Sequence, residues 1–158
     1  MPGRMPGLMA GRALAHHVIT RCDQREPFGV VGQHVRQGIL KVHNTLGSGF
    51  AELIYQRALA KEMAKNGLSF EQEKDMPIVY DGEKIGSRRV DFFVENCIML
   101  EIKAFEKIQE VHKNQAINYL EVFNIADGLL INFGSDSLEF KRLYNKKMVN
   151  PKDLPFNN

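Results

Sequence analysis

Beyond residue 30 the chain switches between two hydrophobic periods. Val31, Val35, Ile39, Val42 and Leu46 recur at three- and four-residue intervals, the spacing of one helical face, and Gly47 ends the run. After Gly47-Ser48-Gly49, residues Leu53, Ile54, Ala58, Leu59 and Met63 predict a second helix over about 50–66, stopped by Gly67. Gly47 and Gly49 predict a tight turn between the two helices rather than a phosphate cradle. Glu52, Tyr55 and Gln56 lie one turn apart and can share a surface, with Tyr55 read as a packing residue whose hydroxyl is hydrogen-bonded. The period then shortens to two. Residues 68–74 partly alternate, and 77–80 run into Asp81-Gly82, a hairpin signal. Residues 85–94 and 98–104 predict two further strands. A third helix, about 107–123, turns Ile108, Val111, Ala116, Leu120 and Phe123 inward. Residues 128–133 are almost wholly apolar, as in a strand buried on both faces, and 138–144 alternate as a last strand.

The order α-α-β-β-β-α-β-β predicts an α/β or α+β layer domain, a mixed central sheet flanked by helices, over residues 31–146. Residues 1–30 show no amphipathic face and read as a disordered extension, and 147–158 as an irregular tail. A chain of 158 residues suits one domain with a sizeable core. No apolar run approaches the ~18 residues of a membrane span, and the N-terminal stretch lacks the apolar core of a secretory signal, so no membrane partner is expected. Cys22 and Cys97 are too few for a disulfide framework, and no CxxC or Cys/His cluster points to zinc; a reducing, cytoplasmic compartment is the expectation. The net charge of +2 comes from the first thirty residues, where Arg4, Arg12, Arg21 and Arg25 outnumber Asp23 and Glu26; the remainder is balanced. That argues against whole-surface binding of nucleic acid and leaves room for a local basic groove.

The unusual chemistry lies in RVDFFVENCIMLEIKAF, residues 89–105. Glu101 and Lys103 are two apart on one predicted strand and share a face, with Leu100, Ile102 and Ala104 on the other. The same parity puts Arg89, Asp91 and Phe93 opposite Val90, Phe92 and Val94. A two-residue turn at Glu95-Asn96 would mix apolar with charged positions across the pair. A three-residue turn, Glu95-Asn96-Cys97, instead pairs Val94 with Ile98, Phe92 with Leu100 and Val90 with Ile102, because burial must meet burial. It also sets Asp91 against Glu101 and Arg89 against Lys103. Two facing carboxylates repel, so a basic neighbour or a divalent cation is needed to offset them; Mg²⁺ or Mn²⁺ suits oxygen ligands from two strands. The bland alternative is a solvated polar face.

The order of a helical Glu52, a strand Asp91, Glu101-Ile102-Lys103 after a hairpin, and then a helix carrying His112, Gln115 and Tyr119 resembles the PD-(D/E)XK nuclease superfamily, with Val90 where that motif has proline. Within it, GSGFAELIYQRAL, with Gly49, Glu52 and Tyr55 in place, resembles the signature of the GxxExxY protein family, and RRVDFFVENCIMLEIKA, HKNQAINYL and GLLINFG resemble its later blocks, over roughly Gln33 to Tyr144. The resemblance implies a restriction-endonuclease-like core and a metal-dependent nuclease. Asp91, Glu101 and the backbone carbonyl of Ile102 would hold one Mg²⁺ or Mn²⁺, with Glu52 a direct or water-mediated ligand. Lys103 would orient or deprotonate the attacking water, and Gln115 would position that water or a phosphate. Arg88, Arg89, Lys107 and Lys113 are candidate nucleic-acid contacts, as are Lys61 and Lys65. DNA is preferred to RNA as the substrate, and a homodimer or partner protein would help such a small fold grip a duplex. The competing readings are an inactive nucleic-acid- or partner-binding module on the same fold, and a metal-binding or structural protein.

Overall fold

The structure is a computed structural model that describes residues 28–148. The expectations for residues 1–27, Cys22 among them, and for 149–158 lie outside the described residues. Eight elements follow in chain order: α1 (Gly29–Leu46), α2 (Glu52–Lys65), β1 (Phe70–Tyr80), β2 (Glu83–Val94), β3 (Ile98–Lys103), α3 (Glu110–Val122), β4 (Asp127–Asn132) and β5 (Glu139–Tyr144). The sheet order is β1-β2-β3-β4-β5, with β3 and β4 parallel and the other neighbours antiparallel. The predicted order and the mixed sheet are both present. Helix α3 is the crossover that a parallel β3–β4 pair requires.

Two apolar layers sandwich the sheet. On one face Val35, Ile39 and Val42 of α1 and Leu59 and Met63 of α2 pack with Phe92, Val94, Leu100, Ile102, Leu129 and Ile131. On the other, Ala116 and Leu120 of α3 pack with Val90, Met99 and Leu130. Strand β4 is buried along its whole length, as its apolar run predicts.

Several local expectations are corrected. Residues 70–80 form one strand that runs through Pro77; β1 is at the sheet edge, where a residue lacking an N–H is tolerated. Leu53 and Ile54 are exposed, and α2 instead buries the i, i+4 stripe Tyr55, Leu59 and Met63, with Gln56. Tyr55 sets that rotation: its ring stacks on Phe133, with 4.6 Å between centroids, and its hydroxyl donates to the Gly47 carbonyl at 2.7 Å and accepts from the Phe50 N–H at 3.2 Å. Gly47 (φ 65°) and Gly49 (φ 108°) make the tight turn beneath it. Val111 is 63% exposed, because it lies off the Ala116–Leu120 stripe of α3.

The turn Glu95-Asn96-Cys97 has the predicted register, Val94 opposite Ile98 and Phe92 opposite Leu100, but the β2–β3 ladder stops there. Val90 and Ile102 do not pair; they enter opposite layers. On its other side β2 pairs Phe92 with Gln72 and Val90 with Lys74, while the intervening Glu73 is left-handed (φ 51°). Thus the strand turns at Asp91, and the side chain of Val90 crosses to the α3 face instead of following Phe92 and Val94.

Candidate functional site

The β2–β3 backbone ladder ends at Phe92 and Leu100, and the polar groups collect just beyond it. The Asp91 carboxylate takes over from the lost ladder: its Oδ2 accepts the Ile102 N–H at 2.7 Å. Glu101 sits on the next strand, only 4% exposed, and its Oε1 is buried with no hydrogen-bond partner. Lys103 lies two residues on, half-buried and on the same side as Glu101, while Leu100, Ile102 and Ala104 fill the opposite layer. This is the alternation read from the sequence.

The electrostatics tie these groups together. Burial pushes the Glu101 carboxyl up to about 7, the negative charge of Asp91 adds to the rise, and Lys103 and Arg88 oppose it. Asp91 is also raised, mainly by burial, against the Ile102 hydrogen bond and the charges of Lys103 and Arg88. Glu52, at the first turn of α2, is exposed, and its charge raises both acids. The cluster therefore has one buried acid, one half-buried acid, one acid at its rim and two cations.

Among the described residues, no three His, Cys, Asp or Glu side chains stand close enough to hold a metal ion by themselves. The site does offer two carboxylates from adjacent strands, one of them with an unspent buried oxygen. Mg²⁺ commonly binds one or two carboxylates and keeps several waters, so this donor set fits it. An uncompensated buried carboxylate is expensive, and a cation is the counterpart that would offset it.

The remaining sequence candidates divide. Arg88 joins the cluster: its guanidinium lies over the Tyr119 ring, 5.1 Å from the centroid, and its charge acts on both acids. Arg89 faces away, with its Nε 3.3 Å from Asp75 on the exposed side of β1. Lys113 pairs with Glu110, and Lys65 with Glu62. Lys107 is exposed on the loop before α3, and Gln115 is exposed on α3 with no hydrogen bond to the cluster residues. His112 has a local job: its Nδ1 accepts the Gln109 N–H at 3.1 Å at the start of α3, and its ring stacks on Phe105.

One supporting device was not foreseen from the sequence. Asn132, fully buried at the end of β4 opposite Lys103, accepts from the Phe105 N–H at 2.9 Å and donates to the Phe105 carbonyl at 2.9 Å. Its amide also reaches Glu139, whose carboxylate accepts the Ile108 N–H at 3.1 Å. The loop that follows Lys103 is thereby clamped. The available signal was a lone polar residue closing an apolar strand run.

A family model described as the PD-(D/E)XK nuclease superfamily matches residues 30–143, more than half of the chain. Among solved structures, the crystal structure of SSO0001 is similar at 19% identity and a TM-score of 0.48, over 78% of this chain and 62% of that one. This chain thus spans less than two thirds of that protein's length. No curated protein matches.

Proposed function

The chain belongs to the PD-(D/E)XK nuclease superfamily, and we propose that it is a divalent-metal-dependent nuclease of the GxxExxY family that hydrolyses phosphodiester bonds, with DNA preferred to RNA. The observation that carries this reading is the buried, unpartnered Oε1 of Glu101 beside Asp91. Asp91, Glu101 and the Ile102 carbonyl would hold Mg²⁺ or Mn²⁺, and Glu52, standing at the rim, would reach it through water. The bound ion would supply a nucleophile at neutral pH and offset charge on the phosphate. Lys103 would, as the ammonium, orient the attacking water and offset phosphate charge, or, once it has lost its own proton, accept that of the water. Gln115 would position water or phosphate from α3. Arg88 and the unpaired Lys107 are better placed for nucleic acid than Arg89 and Lys113, which already hold acidic partners. A second copy or a partner protein would extend the grip on a duplex.

Lys103 and Arg88 beside the acids would serve equally as anion contacts in a second reading, an inactive binding module on the same fold. One experiment separates the two. The full chain is offered labelled single-stranded, duplex and branched DNA and an RNA, with Mg²⁺, Mn²⁺ or EDTA, beside Asp91→Ala. Metal-dependent cutting that EDTA and Asp91→Ala both abolish is the expected result. Cutting that continues unchanged in EDTA sinks the metal mechanism, and metal-dependent binding without cutting selects the module.

A further inference from the structure

Arg88 carries an unspent donor. Its Nε is buried and has no hydrogen-bond partner, and it forms no ion pair with Asp91 or Glu101 although its charge acts on both. It is two residues from Val90 on β2 and opposite Met76, and both of those pack in the layer of α3. Lys103 and Glu101 project to that side of the sheet too. The guanidinium carbon lies over the Tyr119 ring, and Tyr119 is itself packed against Phe123, 6.0 Å between ring centroids. A cation–π contact anchors a guanidinium without using any of its N–H donors. If Arg88 served only to neutralise the two acids, its donors would be expected to bond them. Instead a buried donor and the buried acceptor Oε1 of Glu101 are left open in one site. A phosphate oxygen answers the first and a cation answers the second.

We propose that Arg88 is the phosphate-binding residue of this site and that Tyr119 is the positioning residue that holds it. The assignment rests on the nuclease reading for its substrate class. It deepens that reading by selecting Arg88 over its neighbour Arg89, which the exposed Asp75 retains on the other side of the strand.

The test uses two equilibria that move in opposite directions. Arg88 sets positive potential on the carboxylates, so Arg88→Ala should bind Mg²⁺ as tightly as the parent or severalfold tighter. The same change removes a charge-assisted contact to phosphate, so affinity for a labelled DNA oligonucleotide in Ca²⁺ should fall roughly tenfold to a hundredfold. Arg88→Lys keeps the charge but loses the planar fork of donors, and should also bind DNA more weakly. Tyr119→Leu should weaken DNA binding in the same sense, and Tyr119→Phe, which keeps the ring face, should match the parent. Thermal melts check that each variant folds. DNA affinity unchanged in Arg88→Ala would overturn the assignment, as would a joint loss of metal and DNA affinity, the mark of a structural role. A parent chain that binds no oligonucleotide in Ca²⁺ would overturn it as well. A parent that binds but never cuts, with the Arg88 and Tyr119 pattern intact, would reject the nuclease reading and leave the phosphate site standing.

Discussion

Glu101 shows what a single residue costs the fold. Its ordinary value is 4.5 and burial lifts it to about 7, so between those pH values the folded protein keeps a proton that the unfolded chain has released. Stability must therefore fall as pH rises through that window and level off above it, by something on the order of 2–3 kcal/mol. The raised Asp91 adds in the same sense. Glu101→Gln, neutral at every pH, should melt several degrees higher than the parent at pH 8 in EDTA and show no such gain at pH 4. Parallel thermal melts at the two pH values would check this, and equal gains at both would remove the buried charge as the cause. That Glu101 and Lys103 share a face was legible from strand parity alone. The partnership of Arg88 with Tyr119 was not, because the two lie on different elements and meet only when α3 covers the sheet.

At the scale of elements, the site exists because a regular ladder is interrupted. The turn length and the first cross-strand pairs of β2 and β3 follow from matching buried with buried positions. Extending that register to Asp91 and Glu101 is where the pattern fails. Glu73 adopts a left-handed conformation, β2 turns, and the Asp91 carboxylate replaces a backbone acceptor for Ile102. Parity assumes a uniform strand and cannot register one twisted residue on a neighbouring strand. The clamp beyond Lys103 is likewise a matter of elements. A Cβ on Gly134 would overlap the backbone of Ala104 and Phe105, which cannot move aside as a flexible side chain can. Gly134→Ala should therefore destabilise the protein by about 2–3 kcal/mol and displace the loop after Lys103. Urea denaturation together with a Mg²⁺ titration would register both effects; parent-like values in both would show that the close approach is dispensable.

Over the whole molecule, the acids sit where one sheet is covered by α1 and α2 on one side and α3 on the other, and β3 and β4 form its buried centre. Binding and stability are then linked. A ligand that binds only the folded state adds about 2.7 kcal/mol at a hundred times its dissociation constant. Millimolar Mg²⁺ should accordingly raise the melting temperature of the parent at pH 8, above the value of about 7 at which Glu101 gives up its proton, and leave Asp91→Ala unmoved. Scanning calorimetry with Mg²⁺ and with EDTA gives the comparison, and an equal rise in both proteins would point to binding elsewhere.

By itself the sequence determined the order of elements, the hairpin register near its turn, the shared face of Glu101 and Lys103 and the structural role of Tyr55. These depend on backbone periods and on which residues must leave water, both of which are local properties written along the chain. Only the tertiary structure decided the bend at Asp91, the rotation of α2 that exposes Leu53 and Ile54, the placement of Arg88 on Tyr119 and of Arg89 on Asp75, and the clamp from Asn132. Each of these depends on how separate elements twist and pack against one another, and distance across a fold is not a function of distance along the chain.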